Sequence, residues 1–190
     1  MALHPDAAAR TWLADFQQRV RKRLARFDRE LRWVDPEAIH LTLVFLGELP
    51  DPVPIANALE ACRCVPMDLT VSGLGVFPNR RRPAVLWAGL AEPTGSLLKL
   101  QAEIAKALTP FVEPERRAFK AHLTLARIKG GGSWLGVVTS MLADGWNDAP
   151  GQWHVEHFSL MRSEQGSAGA RHFVVREFGG DPAGGAFSIS

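Results

Sequence analysis

Two stretches of this chain, AIHLTLVFLG and KAHLTLARIK, spell the same tetrapeptide, His-Leu-Thr-Leu, at residues 40–43 and 122–125. The two histidines stand 82 positions apart. On a strand alternate side chains face opposite ways, so His40 and Thr42 share one face while Leu41 and Leu43 share the other. His122 and Thr124 are set against Leu123 and Leu125 in the same manner. Each strand therefore turns an apolar side to a core and an imidazole-plus-hydroxyl side elsewhere. If the polar faces converge, two imidazoles and two hydroxyls line one cleft. Histidine titrates near pH ~6.5, so both its proton-accepting and proton-donating forms are accessible near neutrality. Two imidazoles flanking a phosphorus suit an in-line displacement, one activating the nucleophile and the other protonating the leaving oxygen. The threonine hydroxyls can hydrogen-bond the non-bridging oxygens. A strained cyclic phosphodiester supplies a leaving group that an acid can assist. No carboxylate cluster or dense Cys/His set accompanies the motif, so neither a metal nor a cofactor is expected.

The elements that must position these groups can be read along the chain. Residues 6–27 predict a helix, with Trp12, Phe16, Val20 and Leu24 recurring every four residues and Asp6 as N-cap. The segment 39–47 predicts a strand closed by Gly47, and 51–62 a short helix with prolines at its start. MDLTVSGLGVF and PAVLWAGL predict a hairpin around the turn-rich PNRRRP, which carries Arg81 and Arg82. Residues 95–111 predict a second long helix, with Leu97, Leu100, Ile104 and Leu108 on one face. The strand AHLTLARI follows, then a glycine break at 130–132 and a helix from Ser133 to Gly145. QWHVEHFSLMRS and ARHFVVREF predict the closing strands, and 179–190 a disordered tail. The order helix, strand, helix, two strands thus occurs twice, and each HLTL strand follows its half's long helix. Equivalent placement in two similar halves turns the repeated tetrapeptide into a paired site. His154 and His157 are expected on opposite faces of one strand, and His4 and His172 to stand alone.

Composition narrows the class. The chain has 190 residues, 46% hydrophobic and 22% charged, with a net charge of +2, values ordinary for one soluble domain. No large basic field announces a nucleic-acid partner, although arginine outnumbers lysine 17 to 5 and clusters in RVRKRLARFDRELR and PNRRRP. Cys62 and Cys64 are too few and too close to complete a zinc site, and are expected to be reduced bystanders. No charged-then-apolar leader or membrane-length apolar run is present. A cytoplasmic monomer is expected.

RWVDPEAIHLTLVFLGEL (32–49), GLGVFPNRRRPAVLWAGL (73–90) and FKAHLTLARI (119–128) together resemble the two-histidine phosphoesterases. Within that group the likeness is to the bacterial RNA 2′,3′-cyclic phosphodiesterases, also called 2′-5′ RNA ligases. The resemblance implies an α+β fold of two pseudo-symmetric lobes, each with an antiparallel sheet and flanking helices, around an active-site groove. One such domain would span 1–178. It implies metal-independent opening of 2′,3′-cyclic phosphate RNA ends to 2′-phosphomonoesters, with reverse 2′-5′ ligation. The partners would be such RNA ends, tRNA fragments among them, or cyclic nucleotides. His40 and His122 become the acid–base pair, Thr42 and Thr124 phosphate donors, and Arg127 a phosphate-side arginine. The resemblance gives His122 the base role and His40 the acid role. On an ideal strand Arg127 would face away from the site, so a bulge, a strand end or a long reach is required. Arg81 and Arg82 are candidate RNA contacts. Relatives begin with a longer strand before the position of Ala2–Leu3 and often carry a tyrosine where this chain has Phe173. How a base is held is therefore open. A non-catalytic nucleotide- or RNA-end-binding module is the alternative, separated by turnover of a cyclic nucleotide.

Overall fold

The computed structural model describes residues 1–48, 51–113, 115, 117–129, 151–166 and 169–179. The first amphipathic stretch folds as α1 (Ala7–Arg23), and the Asp6 carboxylate accepts from the Ala9 N–H at 2.8 Å, as its N-cap position requires. α2 (Val53–Leu59) starts on prolines, and α3 (Ser96–Ala107) buries Leu97, Leu100 and Ile104. The strands are β1 (Ala2–Leu3), β2 (Leu31–Trp33), β3 (Leu41–Thr42), β4 (Met67–Phe77), β5 (Val85–Ala91), β6 (His122–Ile128), β7 (Gln152–Val155), β8 (His157–Gly166) and β9 (Gly169–Gly179). The predicted helix 133–145, the glycine break and the tail from residue 180 lie outside the described residues.

All described strands join one antiparallel sheet in the order β7-β4-β5-β6-β3-β1-β8-β9, with β2 also paired to β6. The two HLTL strands are neighbours at its centre, where Leu41 pairs with Leu123. Each half's hairpin flanks the other half's motif, because β4–β5 extends from β6 while β8–β9 reaches β3 through β1. The polar faces therefore do not oppose one another across a gap between separate sheets. They lie side by side on one curled sheet.

The predicted strand 39–47 is regular only over Leu41–Thr42. Its outer partner β1 is two residues long, so the ladder has little to pair with. The predicted strand 152–163 breaks at Glu156 into β7, which pairs β4, and β8, which pairs β9.

Register is fixed by burial. Leu41, Leu123 and Leu125 are fully buried, each worth roughly 1.5–3 kcal/mol relative to exposure. A one-residue slip would expose them and bury the histidines, so the core itself decides which way the imidazoles point. A second device is a pair of glutamines. Gln17 of α1, 4% exposed, donates to the Leu125 carbonyl at 3.0 Å and the Val34 carbonyl at 2.7 Å. Gln101 of α3 donates to the Leu43 carbonyl at 3.4 Å. Each long helix thus holds the last leucine of one HLTL copy. Gln17→Leu keeps the volume but removes the amide donor from the Val34 carbonyl and leaves the Leu125 carbonyl with the Val34 N–H alone, and should lower unfolding free energy by about 1–3 kcal/mol, read as a fall in urea midpoint at constant m-value.

Candidate active site

One residue either side of the Leu41–Leu123 pair, the antiparallel register sets His40 opposite Thr124 and Thr42 opposite His122. Directly opposed residues share a face, so the four predicted side chains form one quartet. All four are half-buried. The rings are held alike: Nδ1–H of His40 donates to the Ala38 carbonyl at 2.8 Å, and Nδ1–H of His122 to the Lys120 carbonyl at 2.7 Å. Each bond reaches back two residues to the segment that leads into its strand, and fixes the tautomer. Nε2 of each ring is left as the proton-accepting atom.

The surroundings of the two rings differ. Beside His122 stands an aromatic wall, with Phe77 edge-on at 4.9 Å and Trp87 at 6.1 Å between ring centroids. Lys120 Nζ sits 4.3 Å over the Trp87 ring. Gly75, paired directly with Trp87, makes room for it, since a Cβ there would fall 2.0 Å from the indole. Beside His40 stand two more histidines. His172 meets it edge-on at 4.6 Å and His4 lies 6.0 Å away. The expectation that His4 and His172 stand alone is thus corrected. His4 lies one step beyond the Leu3–Leu41 pair, which puts it opposite His40. His172 faces Ser163 in the β8–β9 register and hydrogen-bonds its hydroxyl at 2.8 Å. Phe173, the expected counterpart of a tyrosine, instead lies beneath the Arg162 guanidinium at 5.5 Å.

Burial pushes the His40 imidazole down to about 4, helped by the charges of His172 and His4. The His4 and His172 imidazoles are lowered too, chiefly by burial. His40 therefore starts neutral at physiological pH and is poised to accept a proton. The linkage sign follows directly. Above pH 6.5 His40 is neutral in both folded and unfolded chains. As pH falls from 6.5 toward 4 the unfolded chain binds the proton first, and stability is lost across that window. Half-burial caps this loss at about 3 kcal/mol. His40→Gln should flatten the fall in thermal midpoint between pH 7 and 5, whatever its effect at pH 7.

Arg127 gains the bulge it needs. From Leu86–Ala126 to Trp87–Thr124, β5 advances one residue while β6 advances two. The extra residue flips the alternation and returns Arg127 to the side of Thr124. The expectation that it faces away holds for an ideal strand and fails here. Arg32 of β2, which the sequence reading did not single out, is its direct cross-strand partner. Like charges directly opposed are destabilising, and no ion pair to either arginine is found among the described residues. A bound anion would relieve that repulsion. Arg81 and Arg82 lie in the exposed β4–β5 turn, where the Asn79 side chain accepts from both backbone N–H groups at 2.9 and 3.1 Å. The turn follows Phe77, at the His122 end of the quartet.

His154 and His157, expected on opposite faces, line one cavity, because the chain breaks at Glu156 between them. Cys62 and Cys64 are free and buried, and burial pushes the Cys64 thiol up to about 11, which suits bystanders rather than nucleophiles. Among the described residues no three His, Cys, Asp or Glu side chains are grouped so as to hold a metal ion. No described helix is long and apolar enough to cross a membrane.

A family model of LigT-like phosphoesterases matches residues 3–87. The RNA 2′,3′-cyclic phosphodiesterase of Aquifex aeolicus is 31% identical over 158 residues, 77% of this chain and 80% of that protein. The enzyme of the same name from Aeropyrum pernix is 36% identical over 115 residues, and the match spans 65% of its length. A crystal structure from Thermus thermophilus superposes with a TM-score of 0.72 at 28% identity, covering 94% of each chain.

Proposed function

The chain belongs to the LigT-like phosphoesterase family, and on that premise we propose that it hydrolyses RNA 2′,3′-cyclic phosphodiester ends to 2′-phosphomonoesters. The observation that carries the reading is the HLTL quartet, two equally tethered imidazoles and two hydroxyls on one sheet face. A cyclic phosphate lies between His40 and His122. His40 Nε2 takes a proton from water as the water oxygen bonds to phosphorus. The bond from phosphorus to O3′ breaks, and His122 delivers its proton to O3′, leaving the phosphate on O2′. Burial favours the neutral form of His40, and we assign it the base role, the opposite of what the resemblance implies. Thr42, Thr124 and Arg127 hold the non-bridging oxygens. The ribose lies toward His122, and its base stacks on Phe77. Arg32, Arg81 and Arg82 meet backbone phosphates further along the RNA. A 5′-hydroxyl in place of water runs the same displacement as 2′-5′ ligation, for tRNA fragments among other RNA ends.

Phosphorus NMR of a 2′,3′-cyclic mononucleotide with protein and a chelator tests the reading. The cyclic resonance should be replaced by that of a 2′-monoester alone. A 3′-monoester, or activity that returns only with added metal, would contradict it. Binding without turnover would establish the non-catalytic alternative.

A further inference from the structure

The segment RVRKRLARFDRELR runs from α1 through a 3₁₀ turn (Ala25–Glu30) into β2. Arg21, Lys22 and Arg23 fall in the last turn of α1, where cations complement the helix dipole. That account ends with the helix. Arg26 and Arg29 lie beyond it in the 3₁₀ turn, and Arg32 in β2. All three are exposed.

The sheet register brings this segment to the site. Phe77, Val85, Arg127 and Arg32 are successive cross-strand partners on β4, β5, β6 and β2, and directly opposed residues share a face. One row therefore leads from the aromatic wall to two arginines. Neighbouring strands lie about 4.8 Å apart, so three steps put Arg32 about 14 Å from Phe77. Just past β6, the Lys129 N–H donates to the Glu30 carbonyl at 2.7 Å. Lys129, also exposed, thus lies opposite Glu30, with Arg29 the next residue along.

Nearby acids leave these cations uncompensated. Asp28 is engaged by the Arg21 guanidinium at 3.0 Å and by Trp33 Nε1–H at 2.7 Å. Glu30 turns one carboxylate oxygen into the interior, where it has no partner among the described residues. Asp35 caps the turn that follows β2, and Glu37 faces Arg10. No ion pair to Arg26, Arg29, Arg32, Arg127 or Lys129 is found among the described residues. Arginines directly opposed on adjoining strands repel each other, and phosphates between them remove that repulsion. An acidic protein surface would need the cations alone. A nucleotide chain needs a stacking face and cations in one row, which the register supplies.

We propose that Arg32, Lys129, Arg29 and Arg26 form a track for the phosphate backbone of the RNA that precedes the cyclic end, so that the chain leaves the site past Arg127 and over β2. This deepens the proposed function and rests on it. The terminal base stacks on Phe77, and the upstream phosphates continue along the row. A cyclic mononucleotide ends before the track and serves as its control.

The test measures kcat/KM against salt for cytidine 2′,3′-cyclic phosphate and for a single-stranded oligoribonucleotide that ends in the same cyclic nucleotide. Contacts from Arg127 and the four track residues predict a log–log slope of about −3.5 for the oligonucleotide, a fall of about 100-fold between about 50 and about 200 mM salt. Arg26→Gln/Arg29→Gln/Lys129→Gln should reduce the slope to about −1.4 and the fall to about sevenfold. Its turnover of the mononucleotide should match the wild type, which also shows that it is folded. Arg63→Gln/Lys99→Gln/Lys106→Gln removes the same charge from exposed positions after α2 and on α3, and should keep the wild-type slope. An unchanged slope in the track variant would overturn the inference. Equal flattening in the second triple variant would reduce the effect to net charge and overturn it too. A slope flattened only by Arg81→Ala/Arg82→Ala would place the backbone on the β4–β5 turn instead. Hydrolysis of the mononucleotide alongside any of these results leaves the function reading standing, whereas no hydrolysis of either substrate would overturn both.

Discussion

His40→Ala and His122→Ala should each lower turnover of a 2′,3′-cyclic nucleotide by at least roughly 10²-fold, the usual scale of lost acid–base assistance. The expectation is the same for both because the rings are mounted alike, each Nδ1–H tied to the carbonyl two residues earlier. KM should change less, since Thr42, Thr124 and Arg127 still hold the phosphate. The double variant should cost far less than the product of the single losses, because base and acid serve one transition state. Steady-state kinetics on the cyclic nucleotide reads all three quantities. Near-normal turnover in both single variants would remove the mechanism. For the wild type, the rate should be bell-shaped in pH, with two apparent constants that belong to the pair.

Thr42→Val and Thr124→Val should each cost on the order of 10²-fold in turnover, the effect of removing one donor to developing charge on oxygen. Valine keeps the shape of threonine and its place on the strand, so the sheet register should survive. The pH at which the rate falls should stay in place, because the imidazoles keep their carbonyl tethers. A loss confined to KM would make the hydroxyls ground-state binders only. A shifted pH profile would mean that they act on the histidines rather than on the phosphate.

Much of the site was legible because strand alternation is a local rule. His40 with Thr42, and His122 with Thr124, follow from period two alone, and α1 with its Asp6 cap follows from a stripe of period near four. What joins the two copies is not local. Nothing in AIHLTLVFLG says that Leu41 will pair with Leu123. Nor does it say that the β4–β5 hairpin will extend the sheet from β6 rather than from β3. The expectation that His4 and His172 stand alone fails for the same reason. Each reaches His40 through a register set by strands far apart in sequence, with no neighbouring motif to mark it. Arg127 is an intermediate case. Its need for a bulge could be read from spacing, but the bulge itself arises from the pairing of β5 with β6. The break at Glu156 is similar: two strands with different partners read as one continuous alternating run.

The aromatic wall shows the limit of motif reading in another way. The segment GLGVFPNRRRPAVLWAGL marks the family, yet the role of its residues appears only when Gly75 is set against Trp87 and Phe77 against His122. The wall offers the stacking surface that the missing tyrosine left unexplained. It is also apolar, whereas the far side of His40 is polar and acidic. The symmetric motif thus sits in an asymmetric groove, and burial on the polar, acidic side lowers the His40 imidazole.

The most direct measurement replaces the 3′ oxygen of the cyclic nucleotide by sulfur, a leaving group that departs without a proton. Turnover of this analogue is compared in His40→Ala and His122→Ala. With His122 as the acid, the analogue should restore the His122 variant to within about tenfold of the unsubstituted protein and leave the His40 variant impaired. Rescue of His40→Ala instead, with His122→Ala still impaired, would contradict the assignment of His40 as base and His122 as acid.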